Sequence, residues 1–333
     1  MRLGRPKFLF QSLMVVGLGV TAAQHAGHEL SLGWYLGALL FAWLSHLMTH
    51  YCNEYFDLEA DRANEAPTSW TGGSRVLVSG LLPPVVSLGA AFLLLFAAVF
   101  LLAAMPDTAS RVMAAAILAA SWFYTAPPLK FNYRALGEVV CAAVLYGLGP
   151  LLVFRLQAGG LSASMCAYVG VVFAFQFLRM SVMNLSDQAG DRRVGKRTLA
   201  VALGPRGLVR LYVIGQCVVY ASIVPLIVAT VPLLPGLAML ATFPVPLWVA
   251  RQLLRGALTT GERADAVTFW ASMHMPITAV AITLGLLADL ARRDAGIDGV
   301  WLAICGTTLA VFAGWFTRAV RSSATARAEA VTP

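Results

Sequence analysis

Acidic side chains recur at a spacing of four residues in two stretches of this chain of 333 residues. The first acidic motif is Asn53–Asp61 (NEYFDLEAD), and the second acidic motif is Asn184–Asp191 (NLSDQAGD). Because a helix turns once in about 3.6 residues, side chains spaced by four share a face. Clustered carboxylates repel one another unless a cation joins them, and Mg²⁺ takes oxygen ligands together with a substrate's phosphates. Two facing motifs of this kind are suited to holding Mg²⁺ around a diphosphate.

The spacing alone is a weak signal, because the 16 acidic residues give roughly one pair four apart by chance. The chain has four such pairs: Asp57/Asp61, Asp61/Glu65, Asp187/Asp191 and Asp294/Asp298. For any one of them, a solvated loop is the alternative to a site. A solvated loop is less favoured for the two motifs, because each has an asparagine upstream and each lies at the end of an apolar run.

Basic residues follow both motifs, as a site for a departing diphosphate requires. After the first motif comes a glycine-rich turn, Thr71–Gly80, which carries Arg75. After the second comes Gly195–Leu199, which carries Lys196 and Arg197. These side chains are predicted to take the charge of the diphosphate.

The composition indicates a polytopic membrane protein. Hydrophobic residues make up 59% of the chain and charged residues 12%, with a mean hydropathy of +0.75, whereas a soluble domain carries about a quarter charged residues. A span needs roughly 20 mostly apolar residues. Ten runs qualify: 8–26, 33–56, 83–105, 109–126, 136–154, 162–186, 207–231, 233–252, 268–290 and 298–318. The net charge of +8 lies in the loops between them, so we expect the lipid bilayer, and no nucleic acid, among the partners.

The basic residues also predict which side of the membrane the motifs face. If the N-terminus is cytoplasmic and the spans alternate, 19 of the 24 Lys and Arg residues lie on the cytoplasmic side. This is the bias of the positive-inside rule, and it places both acidic motifs on that side. The number of spans stays open between nine and ten, since Gly17 and Gly19 interrupt the first run.

Four further polar residues allow more than one interpretation. Arg179 lies within the sixth span, where it can balance the carboxylates, bind a substrate carboxylate or extend toward the headgroups. His46 and His50 precede the first motif at helical spacing, and they can line an acceptor pocket, supply a base or stabilise helix contacts. Glu138 suits a helix N-terminus as well as catalysis.

Four segments, spread over about two-thirds of the chain, carry a family resemblance. They are NEYFDLEAD at 53–61, GGSRVLVSGLLP at 72–83, YTAPPLKFNYRALGE at 124–138 and NLSDQAGDRRVGKRTLAVALG at 184–204. In this order they resemble the UbiA-type intramembrane prenyltransferases. The TAPPLK and GGSRV pieces are most similar to the 1,4-dihydroxy-2-naphthoate polyprenyltransferases, which make menaquinone precursors. The spacing of the first motif is more similar to the branch that uses 4-hydroxybenzoate.

The resemblance implies an all-α bundle of nine or ten transmembrane helices around a central cavity. It also implies Mg²⁺-dependent transfer of a prenyl group from a prenyl diphosphate to an aromatic or quinoid acceptor, through an allylic carbocation. The Mg²⁺ ligands it implies are Asn53, Asp57, Asp61, Asp187 and Asp191, of which the four aspartates are also catalytic. The substrate-binding residues it implies are Asn53, Arg75, Tyr124, Lys130, Asn184, Lys196 and Arg197.

The second motif departs from the family pattern at two places. Met183 stands where many relatives have asparagine, and no acidic residue lies between Asp187 and Asp191. These departures leave the metal geometry on this side open.

Two alternatives and the domain boundaries complete the expectations. A UbiA-type terpene cyclase would use the same site, with the cation closing on itself. A cation-coupled transporter carries ions on midplane carboxylates, although both motifs here lie at the ends of spans. We expect a single transmembrane domain over 1–320, a polar and disordered tail at 321–333, and a place in the inner membrane of a bacterium.

Overall fold

The computed structural model describes residues 2–65, 67–68, 70–256 and 261–329, with side chains except those at 2, 261–262 and 321–329. The described residues form helices and loops, without a strand. The helices are α1 (Pro6–His25), α2 (Leu32–Phe56), α3 (Leu58–Ala63), α4 (Pro84–Ala103), α5 (Thr108–Trp122), α6 (Gly137–Ala142), α7 (Gly149–Ala158), α8 (Ala163–Arg193), α9 (Leu199–Ala229), α10 (Leu233–Leu240), α11 (Pro244–Leu254), α12 (Gly261–Arg292) and α13 (Gly299–Glu329). A π-helical turn, Ala143–Leu148, joins α6 to α7, and 3₁₀ turns occur at Arg2–Gly4 and Phe131–Tyr133.

Nine helical segments in the described part of the chain are long and apolar enough to cross a membrane. They are α1, α2, α4, α6 with α7, α8, α9, α10 with α11, α12 and α13. The remaining long helix, α5, has only 15 residues.

Helix α5 nevertheless extends over the same depth of the bundle as α2, because the two helices make neighbouring contacts at both of their ends. The Asp107 carboxylate, just before α5, accepts a hydrogen bond from Arg155 on α7 (2.8 Å). The residue before α2 is also tied to α7, through Gln157 (2.8 Å). At the opposite ends, Thr125 Oγ1 donates to Asn53 Oδ1 (2.8 Å). Since α5 and α2 run side by side between these contacts, we expect α5 to cross the membrane as well, which would make ten crossings with the nine segments.

Apolar side chains pack inside the bundle and also cover its outside. One cluster joins α8, α9 and α12, and a second joins α1, α2, α5 and α7. On the outer surface Phe100 is 77% exposed and Val228 is 85% exposed. Such a surface is unfavourable in water and normal in lipid. The chain is therefore an integral membrane protein, as its composition predicts.

Side-chain caps fix where five of the helices begin. Ser31, Asp107, Ser162, Thr198 and Asp298 each accept a hydrogen bond from a backbone N–H in the first turn of α2, α5, α8, α9 and α13. These bonds satisfy donors that a helix N-terminus leaves free. The cap at Thr198 comes directly after Lys196 and Arg197, so the basic loop between α8 and α9 is short.

The end of the chain is described only in part. Helix α13 extends to Glu329, while the side chains from 321 onward and the whole of 330–333 lie outside the described residues. The disordered tail at 321–333 and the single domain over 1–320 therefore stay predictions.

Ten crossings would place both ends of the chain on one side of the membrane. We expect reporters fused at the N-terminus and after Arg318 to give the same side, the cytoplasm, because the basic residues concentrate there. A reporter inserted at Gly159, between α7 and α8, serves as the control and should give the opposite side. Termini on opposite sides would mean that α5 does not cross.

Candidate active site

The first acidic motif lies where α2 ends and α3 begins. The backbone N–H of Asp57 donates to Asn53 O (2.8 Å), and that of Asp61 donates to Asp57 O (2.9 Å). These bonds continue the helical path through the motif, so the three side chains share a face. Asp57 is buried and Asp61 is partly exposed, and both line a cavity with Asn53.

The second acidic motif forms the last turns of α8 and faces the first. Asn64 Nδ2, at the end of α3, donates to Asp187 Oδ1 (2.8 Å). The two backbones approach closely at Gly190, where a Cβ would lie 3.1 Å from Asn64 Cα. A longer side chain at Gly190 would force α3 and α8 apart. This close approach excludes an acidic side chain at position 190.

Lys196 joins the two motifs electrostatically. Its Nζ lies 3.0 Å from Asp57 Oδ2 and 3.4 Å from Asp191 Oδ1, and the residue is only 8% exposed. Burial alone would lower the pKa of Lys196, but the attraction of Asp57 and Asp191 outweighs it and raises the pKa. The ammonium therefore stays charged and offsets two carboxylates that would otherwise repel each other.

The oxygen atoms around Lys196 fit a magnesium ion. Asp57 Oδ1 and Asp191 Oδ2 have no hydrogen-bond partner among the described residues. Burial raises the pKa of Asp61 to about 7, a shift that a divalent cation nearby would oppose. No three acidic, His or Cys side chains in the described ranges come close enough to hold an ion together. Mg²⁺ takes its remaining ligands from water and from a substrate's phosphates.

The asparagines of both motifs already have hydrogen-bond partners. Asn53 Oδ1 accepts from Thr125, and Asn184 Nδ2 donates to Glu138 Oε1 (2.8 Å). Glu138 also accepts from the backbone N–H of Leu199 (2.9 Å). Glu138 therefore acts as a helix cap, but for α9 and not for α6, to which it belongs. The same carboxylate ties α8 to α9 behind the site.

The cavity, of about 200 Å³, extends from the two motifs into the bundle. Its lining on α2 consists of Ser45, His46, Thr49, His50 and Asn53, and Asp57 follows directly after the helix. Its lining on α8 consists of Arg179, Met180, Met183, Asn184 and Asp187. Both sets follow one helical face, so the cavity runs along the helices away from the acidic end. Val144 and Leu145, on the π-helical turn, add apolar walls, and such turns are frequent at functional sites.

The structure brings most of the predicted site residues together. Those that line the cavity are Asn53, Asp57, Asp61, Tyr124, Asn184, Asp187 and Lys196. Asp191 contacts the site through Lys196.

Three predicted substrate-binding residues lie outside this lining. The guanidinium of Arg75 hydrogen-bonds the backbone carbonyl of Asp61, Lys130 Nζ lies 5.1 Å from the centre of the Tyr133 ring, and Arg197 is exposed. Their roles in substrate binding stay predictions.

Arg5 and Glu54 belong to the site although the sequence did not single them out. Arg5 lines the cavity, and its Nε donates to Glu54 Oε1 (2.9 Å). Glu54 also accepts from the Ser74 backbone N–H (2.7 Å) and Oγ (2.6 Å), which fixes the glycine-rich turn to α2. The only available signal was the position of Glu54 inside the first motif, because residue spacing cannot reveal a pair that is 49 residues apart.

The glycine-rich turn passes directly over the first motif at Gly73. Its φ is +76°, and a Cβ there would lie 2.6 Å from Asp61 Cγ and would collide with the carboxylate. Gly80, in the same turn, has a similar φ of +69° but open space around it. An alanine at either position would therefore have a strained backbone, but only an alanine at position 73 would also collide with Asp61.

We expect Gly73→Ala to be more damaging than the matched variant Gly80→Ala. Both alanines bear left-handed backbone strain of about 1–2 kcal/mol, but only the first displaces Asp61. In detergent, the unfolding temperature of Gly73→Ala should be lower than that of Gly80→Ala. Mg²⁺ with diphosphate should raise the unfolding temperature of Gly80→Ala but not that of Gly73→Ala. Equal behaviour of the two variants would contradict this account of the turn.

Comparisons with known sequences agree with the predicted resemblance. The sequence pattern of the UbiA prenyltransferase family matches residues 12–273. The 1,4-dihydroxy-2-naphthoate octaprenyltransferase of Bacillus subtilis (strain 168) is 24% identical over 234 residues, which cover 68% of this chain and 73% of that protein. The similarity to the 1,4-dihydroxy-2-naphthoate branch is thereby confirmed.

Solved structures share the fold. The apo structure of a UbiA homolog from Aeropyrum pernix K1 has a TM-score of 0.66 at 16% identity, covering 85% of this chain and 98% of that chain. A UbiA homolog from Archaeoglobus fulgidus bound to DMAPP and Mg²⁺ has a TM-score of 0.61 at 16% identity, with the same two coverages. The predicted all-α bundle is confirmed. Because the family pattern extends from α1 into α12, this chain belongs to the UbiA prenyltransferase family and is a prenyltransferase.

Proposed function

We propose that this prenyltransferase moves a prenyl group from a prenyl diphosphate to an aromatic or quinoid acceptor inside the membrane, with Mg²⁺ as cofactor. The observation that carries the proposal is the joining of both acidic motifs through Lys196 at the polar end of a cavity that continues into the bundle. The Archaeoglobus fulgidus homolog bound to DMAPP and Mg²⁺ supports the donor and the cofactor.

The acceptor that we propose is 1,4-dihydroxy-2-naphthoate or a ring similar to 4-hydroxybenzoate. The Bacillus subtilis relative supports the first of these. The membrane that we propose is the inner membrane of a bacterium, with the motifs facing the cytoplasm. The bias of the basic residues supports this orientation.

The polar end of the cavity would hold the diphosphate. The residues that would hold Mg²⁺ are Asn53, Asp57, Asp61, Asp187 and Asp191. When bound, Mg²⁺ supplies positive charge to the diphosphate oxygens. Lys196 Nζ and the Arg5 guanidinium add donors to the same oxygens. They stabilise the charge that develops as the allylic C–O bond breaks and its electron pair leaves with the diphosphate.

The interior of the cavity would then direct the allylic cation to the acceptor. An electron-rich ring carbon forms the new C–C bond and releases a proton, or carbon dioxide if a carboxylate occupies that carbon. The apolar walls at Val144, Leu145 and Met180 exclude water, which would otherwise capture the cation. His50 Nε2 has no hydrogen-bond partner among the described residues and belongs to the lining, so it can take the proton.

We expect Asp57→Asn and Asp187→Asn each to lower prenyl transfer at least about 100-fold. Each variant removes a negative charge that would hold Mg²⁺ and, through Mg²⁺, the diphosphate. The assay is transfer from labelled prenyl diphosphate in membranes. Asp294→Asn is the matched control, since Asp294 is exposed at a positive φ that asparagine tolerates and lies outside the site.

The same assay separates the alternatives. Full transfer in both aspartate variants would overturn the site. A cyclic hydrocarbon released without acceptor would indicate a terpene cyclase. A cation-coupled transporter is disfavoured by α8, which runs unbroken through the second motif, whereas such transporters build their sites on broken helices.

A further inference from the structure

Arg179 is a buried cation at the middle of α8. The residue is 4% exposed and belongs to the cavity lining. Its Nη1 donates to Gln176 Oε1 (3.3 Å) and lies 3.7 Å from Met180 Sδ, and its Nη2 donates to Ser272 Oγ (3.2 Å) on α12. Its Nε has no hydrogen-bond partner among the described residues. The side chain is therefore held in place by neutral groups and retains unused donors.

Within the described residues, no carboxylate balances the charge of Arg179. The ionisable groups that interact with it electrostatically include Cys141, Tyr146 and Tyr124, which are neutral near pH 7, and His46, which carries no negative charge. An unbalanced charge at membrane depth is costly. Since the guanidinium is fixed at a cavity wall and not at the lipid surface, the opposite charge can come from a molecule in the cavity.

The position of Arg179 separates it from the diphosphate. It precedes Asp187 by eight residues, which corresponds to about 12 Å along the helix axis. A diphosphate held between the two acidic motifs lies at the level of Asp187, while Arg179 lies toward the interior on the same cavity wall. The interior part of the cavity is the space for the prenyl chain and the acceptor. Since the prenyl chain carries no charge, an anion bound by Arg179 belongs to the acceptor.

We propose that Arg179 binds the carboxylate on the ring of the acceptor. The inference rests on the proposed function and deepens it. A guanidinium presents a planar pair of N–H donors that matches a carboxylate, and the bound acid supplies the negative charge that the described residues next to Arg179 do not. Binding through Arg179 also fixes which ring carbon faces the allylic cation, because the carboxylate sets the orientation of the ring.

The test compares acceptors that differ only in the carboxylate. Purified protein is assayed with 1,4-dihydroxy-2-naphthoate and with 1,4-dihydroxynaphthalene, using wild type, Arg179→Gln and Arg179→Lys. Loss of a charged hydrogen-bonded pair should raise the KM of Arg179→Gln for the acid about 10- to 100-fold. The KM for the acceptor without the carboxylate and the KM for the prenyl diphosphate should stay within about twofold of wild type. Arg179→Lys keeps the positive charge but lacks the paired N–H donors of the guanidinium. Its KM for the acid should therefore lie between those of wild type and Arg179→Gln.

Binding without turnover gives a second readout. The acid alone should raise the unfolding temperature of wild-type protein and of the control Arg206→Gln, an exposed arginine on α9, but not that of Arg179→Gln. Without acceptor, Arg179→Gln should be at least as stable as wild type, because an uncompensated buried charge is gone.

The outcomes distinguish this inference from the proposed function. Equal losses with both acceptors, or a raised KM for the prenyl diphosphate, would overturn the role of Arg179 and leave the prenyl transfer intact. If the acid stabilises wild type but not Arg179→Gln while no acceptor is prenylated, the Arg179 site stands and the proposed acceptor reaction fails. No stabilisation of wild type by the acid, together with an unchanged KM in Arg179→Gln, would overturn the inference.

Discussion

The pairing of Lys196 with Asp57 and Asp191 is the interaction on which the site depends. Carboxylates at the edge of hydrocarbon are tolerated only when cations and hydrogen bonds compensate them. The position of Lys196 is fixed on both sides. Its own backbone N–H donates to Asp191 O (2.9 Å), and Thr198, two residues later, caps α9. The short turn between α8 and α9 therefore determines where the positive charge lies.

The helices around this turn are fixed by contacts of the same kind. Glu138 holds the start of α9 and the side chain of Asn184, and Asn64 holds Asp187. Glu54 connects α2 both to the N-terminal Arg5 and to the glycine-rich turn. Each contact joins segments that are distant in sequence. The acidic end of the cavity is thus assembled from five parts of the chain, and a bound cation would meet ligands already held at fixed positions.

Much of the fold and part of the site could be predicted from the sequence. Apolar length predicts the spans, and spacing by four predicts that each motif presents one face. The approach of the two motifs follows from their placement on one side of the membrane. What could not be predicted depends on the packing of distant segments: the ion pair of Arg5 with Glu54, the role of Glu138 as a cap for α9, and the burial of Arg179 without a carboxylate. Arg75 and Arg197 were predicted to bind substrate because each follows a motif in sequence, but their side chains do not line the cavity. Closeness in sequence was therefore not enough to predict a place in the site.

The short helix α5 makes the thickness of the membrane relevant to the site. Its 15 residues span about 22 Å at 1.5 Å per residue, whereas the hydrocarbon layer is about 30 Å thick. Non-helical residues that include the buried Thr125 and Ala126 continue the crossing, and irregular backbone at this depth requires such burial. A bilayer adapts to this hydrophobic mismatch by thinning beside the helix. Because Thr125 is hydrogen-bonded to Asn53, any shift of this end of α5 along the membrane normal would also displace the first acidic motif.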